Sequence, residues 1–384
     1  MSTVRLGIVG LGNIGSLYAK LLLDGKINRA ELVAACSRSP DKLAPYAQLK
    51  CFPKSNEMIR SGAVDAVLIA TPHYSHTPIG IDALQQGLHV LVEKPISAHK
   101  ADCERLLAAH TNKQQVFGVI FNQRTNPFHI KIHDMVHNGE LGEIRRVNWI
   151  VTSSFRPEVY YASGGWRATW RGEGGGVLLN QASHNLDLLQ WIFGMPKRVR
   201  AFCGLGRYHQ IEVEDDVTAY LEYLDGTTGI FITSTGEAPG TSRLDVTAEG
   251  GKLVHENDTL TFVRNEVPTS EFSRTATGSF DSPPRREIKI ALEGHGGQHA
   301  EILQNFVDAI LDHKPLIAPA VEGIRSVELG NAMLLSSLQS RTIELPMNSA
   351  EYEKTLKELI RNSKFTKPEV RPQVVADMSK SFRH

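Results

Sequence analysis

The chain begins with a short apolar run, Arg5–Val9, that ends in Gly10. Ile14, Leu17, Tyr18, Leu21 and Leu22 then recur at the three- and four-residue spacing of a helix. Gly25 stands where a helix-ending glycine belongs. The same alternation continues. Leu32–Cys36 reads as a strand, followed by a helix opening near Pro40-Asp41, where proline suits the first turn. Val64–Ala70 reads as a strand whose apolar run suits a sheet covered on both faces. His76–Gln86 reads as a helix stopped by Gly87, Val90–Glu93 as a strand, Ala101–His110 as a helix and Val116–Phe121 as a strand. A series of this kind predicts an α/β fold with a doubly wound parallel sheet and its ligand at the carboxyl ends of the strands.

The pattern changes near Asn122. Phe128–His137 has helical spacing with Gly139 as its stop, and most of the chain from Ile144 to about Ile290 reads as strands and turns. The clearest strands are Val147–Thr152, Val217–Tyr223, Gly229–Thr233 and Leu244–Ala248, with Asp225-Gly226 as a hairpin signal between two of them. One helix, Leu178–Phe193, is expected to interrupt this region, and two, Gln298–Asp312 and Val321–Ser340, to close it. The expected organisation is a dinucleotide-type domain over residues 1–122, an α+β domain with a large, mostly antiparallel open sheet over 123–362, and a loose tail over 363–384.

Composition narrows the function classes. The 384 residues carry 42 Lys+Arg and 42 Asp+Glu. This balance gives no electrostatic reason to expect nucleic acid or a membrane surface as partner. No apolar run approaches the ~20 residues that cross a bilayer. Cys36, Cys51, Cys103 and Cys203 lack CxxC spacing, which argues against a zinc knuckle and fits reduced thiols in a cytoplasmic protein.

Three segments carry candidate chemistry. Gly10-Leu11-Gly12-Asn13-Ile14-Gly15 matches GxGxxG. A match arises by chance roughly 0.2 times in a chain this rich in glycine, so the motif draws its weight from its place between a strand and an amphipathic helix, where free N–H groups meet a pyrophosphate. The second strand ends in Cys36-Ser37-Arg38 without a carboxylate. A hydroxyl followed by a guanidinium favours NADP over NAD, since arginine pairs with a 2′-phosphate. Glu93-Lys94-Pro95 ends a parallel strand, where catalytic groups of such sheets collect. In Gly174–Asp187, helical spacing would place Asn180, His184 and Asp187 on one face behind a glycine run, with His184 as the natural proton carrier. His73 and His76 are close in sequence and His295 and His299 lie far downstream, but no Cys or carboxylate cluster completes a metal set.

Together Gly10–Gly15, Thr71-Pro72-His73-Tyr74-Ser75-His76, Glu93-Lys94-Pro95 and Gly174–Asp187 resemble the Gfo/Idh/MocA oxidoreductases. The resemblance spans about residues 4 to 340 and implies a Rossmann domain followed by an open-sheet α/β domain. It implies hydride transfer between nicotinamide and a secondary hydroxyl or ketone of a sugar or cyclitol, in a homo-oligomer, dimer or tetramer, formed through the C-terminal sheet. The expected cofactor contacts are Gly10, Gly12, Asn13, Ile14, Gly15, Ser37, Arg38, Thr71, Pro72, His76, Glu93 and Lys94. The expected catalytic residues are Lys94, His184 and Asn180, and the expected substrate contacts add Asn122, Trp166 and Arg167. Where the family commonly has an aspartate four residues before the histidine, this chain has Asn180, an amide that cannot accept a proton. That departure resembles subgroups acting on pyranosides. A redox-neutral sugar conversion with recycled cofactor is the alternative enzyme, and a non-catalytic dinucleotide-binding regulator is the alternative from another class.

Overall fold

Six strands from the first third lie side by side and parallel: β1 (Val4–Val9), β2 (Ala30–Cys36), β3 (Lys50–Phe52), β4 (Ala66–Ile69), β5 (His89–Val92) and β6 (Phe117–Val119). The computed structural model describes residues 2–368. The strand order is β3-β2-β1-β4-β5-β6, so the order reverses between β1 and β4 and a crevice opens at their carboxyl ends. Alternation along each strand divides the side chains between two layers. Leu6, Ile8 and Leu68 pack against Tyr18, Ala19 and Leu22 of the helix Asn13–Leu23. Val9, Val67 and Ile69 pack on the other face against Met58, Leu84 and Leu106.

The helix Gln298–Asp312 comes late in the chain, yet its Ile302, Leu303, Phe306 and Val307 join the layer with Tyr18. The first sheet is therefore completed by a segment that follows the second. That second sheet has nine strands: β7 (Ile144–Val151), β8 (Arg198–Leu205), β9 (Glu214–Glu222), β10 (Thr228–Ser234), β11 (Ser242–Ala248), β12 (Gly251–Glu256), β13 (Thr259–Asn265), β14 (Arg285–Ile290) and β15 (Ile343–Glu344). Its order is β14-β13-β12-β11-β7-β10-β9-β8-β15, and β7–β10 is its parallel pair. Helices Ser183–Phe193 and Ala320–Gln339 cover one face, and Leu186, Leu189, Leu329 and Met333 bury themselves with Val147 and Trp149.

One expected helix is shorter than its pattern. The spacing extends it back to Leu178, but the helix begins at Ser183. Residues 176–182 form turns instead, because β9 takes their main chain. Glu214 Oε1 accepts from Gly176 N at 2.7 Å and Leu178 N at 3.3 Å, and Val177 N donates to Glu214 O at 2.9 Å. Gly176 must be glycine here, since a Cβ would stand 2.0 Å from Glu214 O. Asn180 is therefore not on the helix, and the expected shared face of Asn180, His184 and Asp187 does not form. Asp187 turns instead into a buried pair, receiving Arg124 Nε at 2.8 Å and Nη2 at 2.7 Å. The same guanidinium also reaches Glu322, so one arginine fastens three segments. Of the tail expected from 363, residues 369–384 lie outside the described residues. Its first part returns to the second domain, where Lys367 Nζ donates to Arg167 O at 3.0 Å.

Removing one partner of a buried pair leaves the other charge stranded in a poor solvent. Asp187→Ala is expected to cost about 3–5 kcal/mol, read as a lower urea midpoint at unchanged slope. A loss under about 1 kcal/mol would mean that Glu322 alone satisfies Arg124.

Candidate active site

The glycine loop divides its work among three residues. Gly10 has φ +97° and a Cβ there would lie 2.5 Å from Ala70 O, so the loop can cross the end of β4 only as glycine. A Cβ on Gly15 would lie 1.9 Å from Gly10 O, which sets how closely the helix sits on β1. Gly12 has nothing within 4 Å of that position. It is also the N-cap of the helix Asn13–Leu23 and offers no side-chain cap, so the first-turn N–H groups of Asn13, Ile14 and Gly15 lack a capping oxygen from it. This open, donor-rich turn suits a pyrophosphate. At the tip of β2, Ser37 Oγ accepts from Ser39 N at 3.2 Å and Arg38 extends into solvent.

The loops after β4 and β5 are locked to each other by an imidazole. His76 is buried, with Nε2 2.7 Å from Thr71 O and Nδ1 2.9 Å from Pro95 O. Burial lowers its pKa while the two carbonyls pull the other way. Both ring nitrogens face main-chain carbonyls and the protonated one donates, so His76 links the loop expected to lie along the cofactor to the Lys94 loop. Glu93 is held by the protein in a similar way. Tyr18 donates its hydroxyl to Glu93 Oε1 and Lys94 N donates to Oε2 at 2.9 Å. Both oxygens are spent inside the protein, and burial raises the carboxyl's pKa. Tyr18 Oη also lies 3.1 Å from His299 Nδ1, which brings the late helix to the same spot.

Lys94 reaches across to the second domain, where its Nζ donates to Asn180 O at 2.9 Å. Burial lowers its pKa, and the like charges of Arg167 and Arg156 add to this against Glu93 and Glu173. His184 is held well below the usual imidazole range, first by burial and then by the nearby Lys94, His299 and His129. Asn180 Nδ2 donates to Glu173 Oε1 and lies 3.4 Å from Tyr160 Oη. Both amide hydrogens are thus occupied and Oδ1 is left to act as acceptor. Arg167 Nη1 donates to Tyr160 Oη at 2.7 Å, with its guanidinium 4.7 Å from the Trp166 ring and 4.6 Å from the Tyr160 ring. His73, buried and held neutral by burial, donates Nδ1–H to Glu173 O at 3.1 Å and sets its ring 5.4 Å from Trp166.

The structure thus gathers Lys94, Asn180, His184, Trp166 and Arg167, with Thr71 and Pro72 tied to the Lys94 loop through His76. Asn122 is buried, and its Nδ2 donates to Gln298 Oε1 at 2.6 Å. His295 stands apart, 3.9 Å from Asp258. Thr71 Oγ1, Asn122 Oδ1, Gln181 Oε1 and His184 Nδ1 are buried without a protein partner, although most buried polar atoms have one. Orphan groups at these positions suit a polar ligand lying across both domains. Tyr160 and Glu173 escaped the sequence reading because neither belongs to a motif, and His299 was visible only as a histidine without a role. Tyr18 was visible only as an apolar helix position.

The family profile described as an oxidoreductase family, NAD-binding Rossmann fold, matches residues 4–121. Its companion, the oxidoreductase family C-terminal alpha/beta domain, matches residues 133–345. The chain belongs to the Gfo/Idh/MocA oxidoreductase family. Within the Gfo/Idh/MocA proteins it is similar to scyllo-inositol 2-dehydrogenase (NADP(+)) of Bacillus subtilis, 25% identical over 362 residues, covering 90% of this chain and 97% of that protein. Myo-inositol 2-dehydrogenase of Thermotoga maritima is 24% identical over 351 residues, covering 89% of this chain and 98% of that one. Among solved structures, the WlbA dehydrogenase from Chromobacterium violaceum, in complex with NADH and UDP-GlcNAcA, aligns with a TM-score of 0.78 at 25% identity, covering 91% of this chain and 97% of that one. Among the described residues of this Gfo/Idh/MocA chain, no helix is long and apolar enough to cross a membrane.

The division of labour among the glycines is testable. Gly12→Ala is expected to keep the melting temperature and weaken dinucleotide binding by about tenfold or more, roughly 1.4 kcal/mol. Gly15→Ala is expected to lower stability even without dinucleotide. Equal effects of the two on unfolding would contradict the assignment, with thermal melts and dinucleotide titration as the measurements.

Proposed function

We propose that this chain is an NAD(P)-dependent oxidoreductase acting on a secondary hydroxyl or ketone of a sugar, sugar derivative or cyclitol. The observation that carries the reading is the meeting of Lys94 with Asn180 beside His184, across the two domains and at the carboxyl end of β5. When bound, the nicotinamide cofactor supplies the hydride acceptor or donor. The glycine loop holds its pyrophosphate, and Arg38, exposed at the tip of β2, supports the NADP reading over NAD. Equal use of both cofactors would remove that preference. The relatives act on inositols, in keeping with a small polyhydroxylated substrate. The exposed side of the second sheet supports assembly with another copy. Phe202, opposite Thr218, and Tyr220, opposite Ile230, form an apolar row on neighbouring strands.

The residues divide the proton chemistry unevenly. An ammonium at Lys94 stabilises negative charge developing on the substrate oxygen, and its lowered pKa makes it a better proton donor and, once neutral, an available acceptor. His184 beside that ammonium is a weak base, so it acts as a neutral hydrogen-bonding partner that positions the hydroxyl. Asn180 Oδ1 accepts from a neighbouring hydroxyl while Glu173 fixes the amide's orientation.

This assigns the pH dependence. Oxidation needs Lys94 neutral, so its kcat/KM is expected to rise with pH through one apparent pKa below the ordinary lysine value of about 10.4, and reduction to fall over the same range. Lys94→Ala is expected to cost about 10²–10⁴ in kcat and to remove that limb, whereas His184→Asn lowers kcat but keeps it. Loss of the limb in His184→Asn would hand the titration to the imidazole. A native enzyme that converts sugar with no net change at 340 nm would favour the redox-neutral scheme.

A further inference from the structure

Two guanidinium groups flank one aromatic ring at the substrate side of the site. Arg167 is held between the rings of Tyr160 and Trp166, and Arg156 lies 5.2 Å from the Tyr160 centroid. Both are anchored. Arg156 N donates to Thr235 O at 3.0 Å at the end of β10, and Arg167 O receives Lys367 Nζ at 3.0 Å. Their side chains spend few donors: Arg167 gives Nη1 to Tyr160 Oη, and Arg156 gives Nη1 to Phe155 O. A guanidinium carries five N–H donors, so most of each fork stays open.

Neither forms an ion pair with a carboxylate of the described residues. Arg124, by contrast, is matched by Asp187 and Glu322. Glu173 lies in the same neighbourhood, but its oxygens are taken by Ala168 N at 2.6 Å and by Asn180 Nδ2. Lys94 and Lys367 add two further positive groups, which among the described residues bond to main-chain oxygens. The site is rich in donors, and its four cations outnumber the two buried carboxylates that act on them, Glu93 and Glu173, which offset their charge only in part. Neutral hydroxyls do not compensate such a charge, whereas a planar oxyanion pairs with a guanidinium fork in bidentate geometry.

We propose that the substrate is an anionic sugar derivative, carrying a carboxylate or phosphate, and that Arg156 and Arg167 receive the oxyanion. This rests on the sugar-oxidoreductase reading above and deepens it. The ring's reacting carbon then faces Lys94 while the anion is held on the Tyr160 side.

The test uses the full-length, cofactor-loaded enzyme with matched compounds: glucose and glucuronate, galactose and galacturonate, and glucose 6-phosphate. The anionic members are expected to show kcat/KM at least about tenfold higher than the neutral ones, with an advantage that shrinks as salt rises through about 0.1 M. Arg156→Gln and Arg167→Gln are expected to bring the anionic-to-neutral ratio toward one, and Arg167→Lys to restore only part of it. Quenching of tryptophan fluorescence by glucuronate or glucose 6-phosphate gives a binding readout independent of turnover. The wild-type comparison stands even where a variant fails to fold. Preference for the uronates over glucose 6-phosphate identifies a carboxylate, and the reverse a phosphate. Neutral sugars turned over as well as the anionic ones would overturn the proposal and leave the oxidoreductase reading intact. Failure of both classes to react or bind would overturn both.

Discussion

The contact between Lys94 Nζ and the main-chain oxygen of Asn180 sets the geometry of the whole site. It joins the end of β5 in one domain to the turn that precedes the helix Ser183–Phe193 in the other. A carbonyl taken by an ammonium, and by Ser183 Oγ at 3.0 Å, is no longer free to extend that helix backward. Glu214 shapes the start of that turn, and the Lys94 bond fixes its end beside His184. Burial of the lysine around this bond lowers its pKa and so favours release of its proton.

Support for Lys94 comes from buried groups that spend their polarity inside the protein. Glu93 is held by Tyr18 and the Lys94 amide, and His76 clamps the Thr71 and Pro95 carbonyls. These are residues of the kind that sequence motifs suggest as ligands. In the folded chain they fix the loops that carry Thr71, Pro72 and Lys94.

Much of this was legible beforehand, and the limits have physical causes. The alternating strands and helices of the first domain follow from local periodicity, and the helix Gln298–Asp312 was bounded correctly from its apolar spacing. The turn at 176–182 was not legible, because Val177, Leu178, Leu179 and Ala182 keep helical spacing while Glu214 on β9 decides the conformation. Tyr18 shows the same limit for chemistry. Its ring satisfies the core pattern, and only the fold brings its hydroxyl to Glu93 and His299. Glu173 precedes the glycine run as an ordinary charged residue until Ala168 and Asn180 close around it.

The most direct test of the account follows the hydrogen itself. A substrate deuterated at the oxidised ring carbon, turned over by the native enzyme with NADP or NAD, is predicted to deliver its deuterium to one face of nicotinamide C4, with a primary isotope effect on kcat/KM that persists in the residual activity of Lys94→Ala. Recovery of protium at C4, or release of the deuterium to water without reduced cofactor, would contradict hydride transfer at this site.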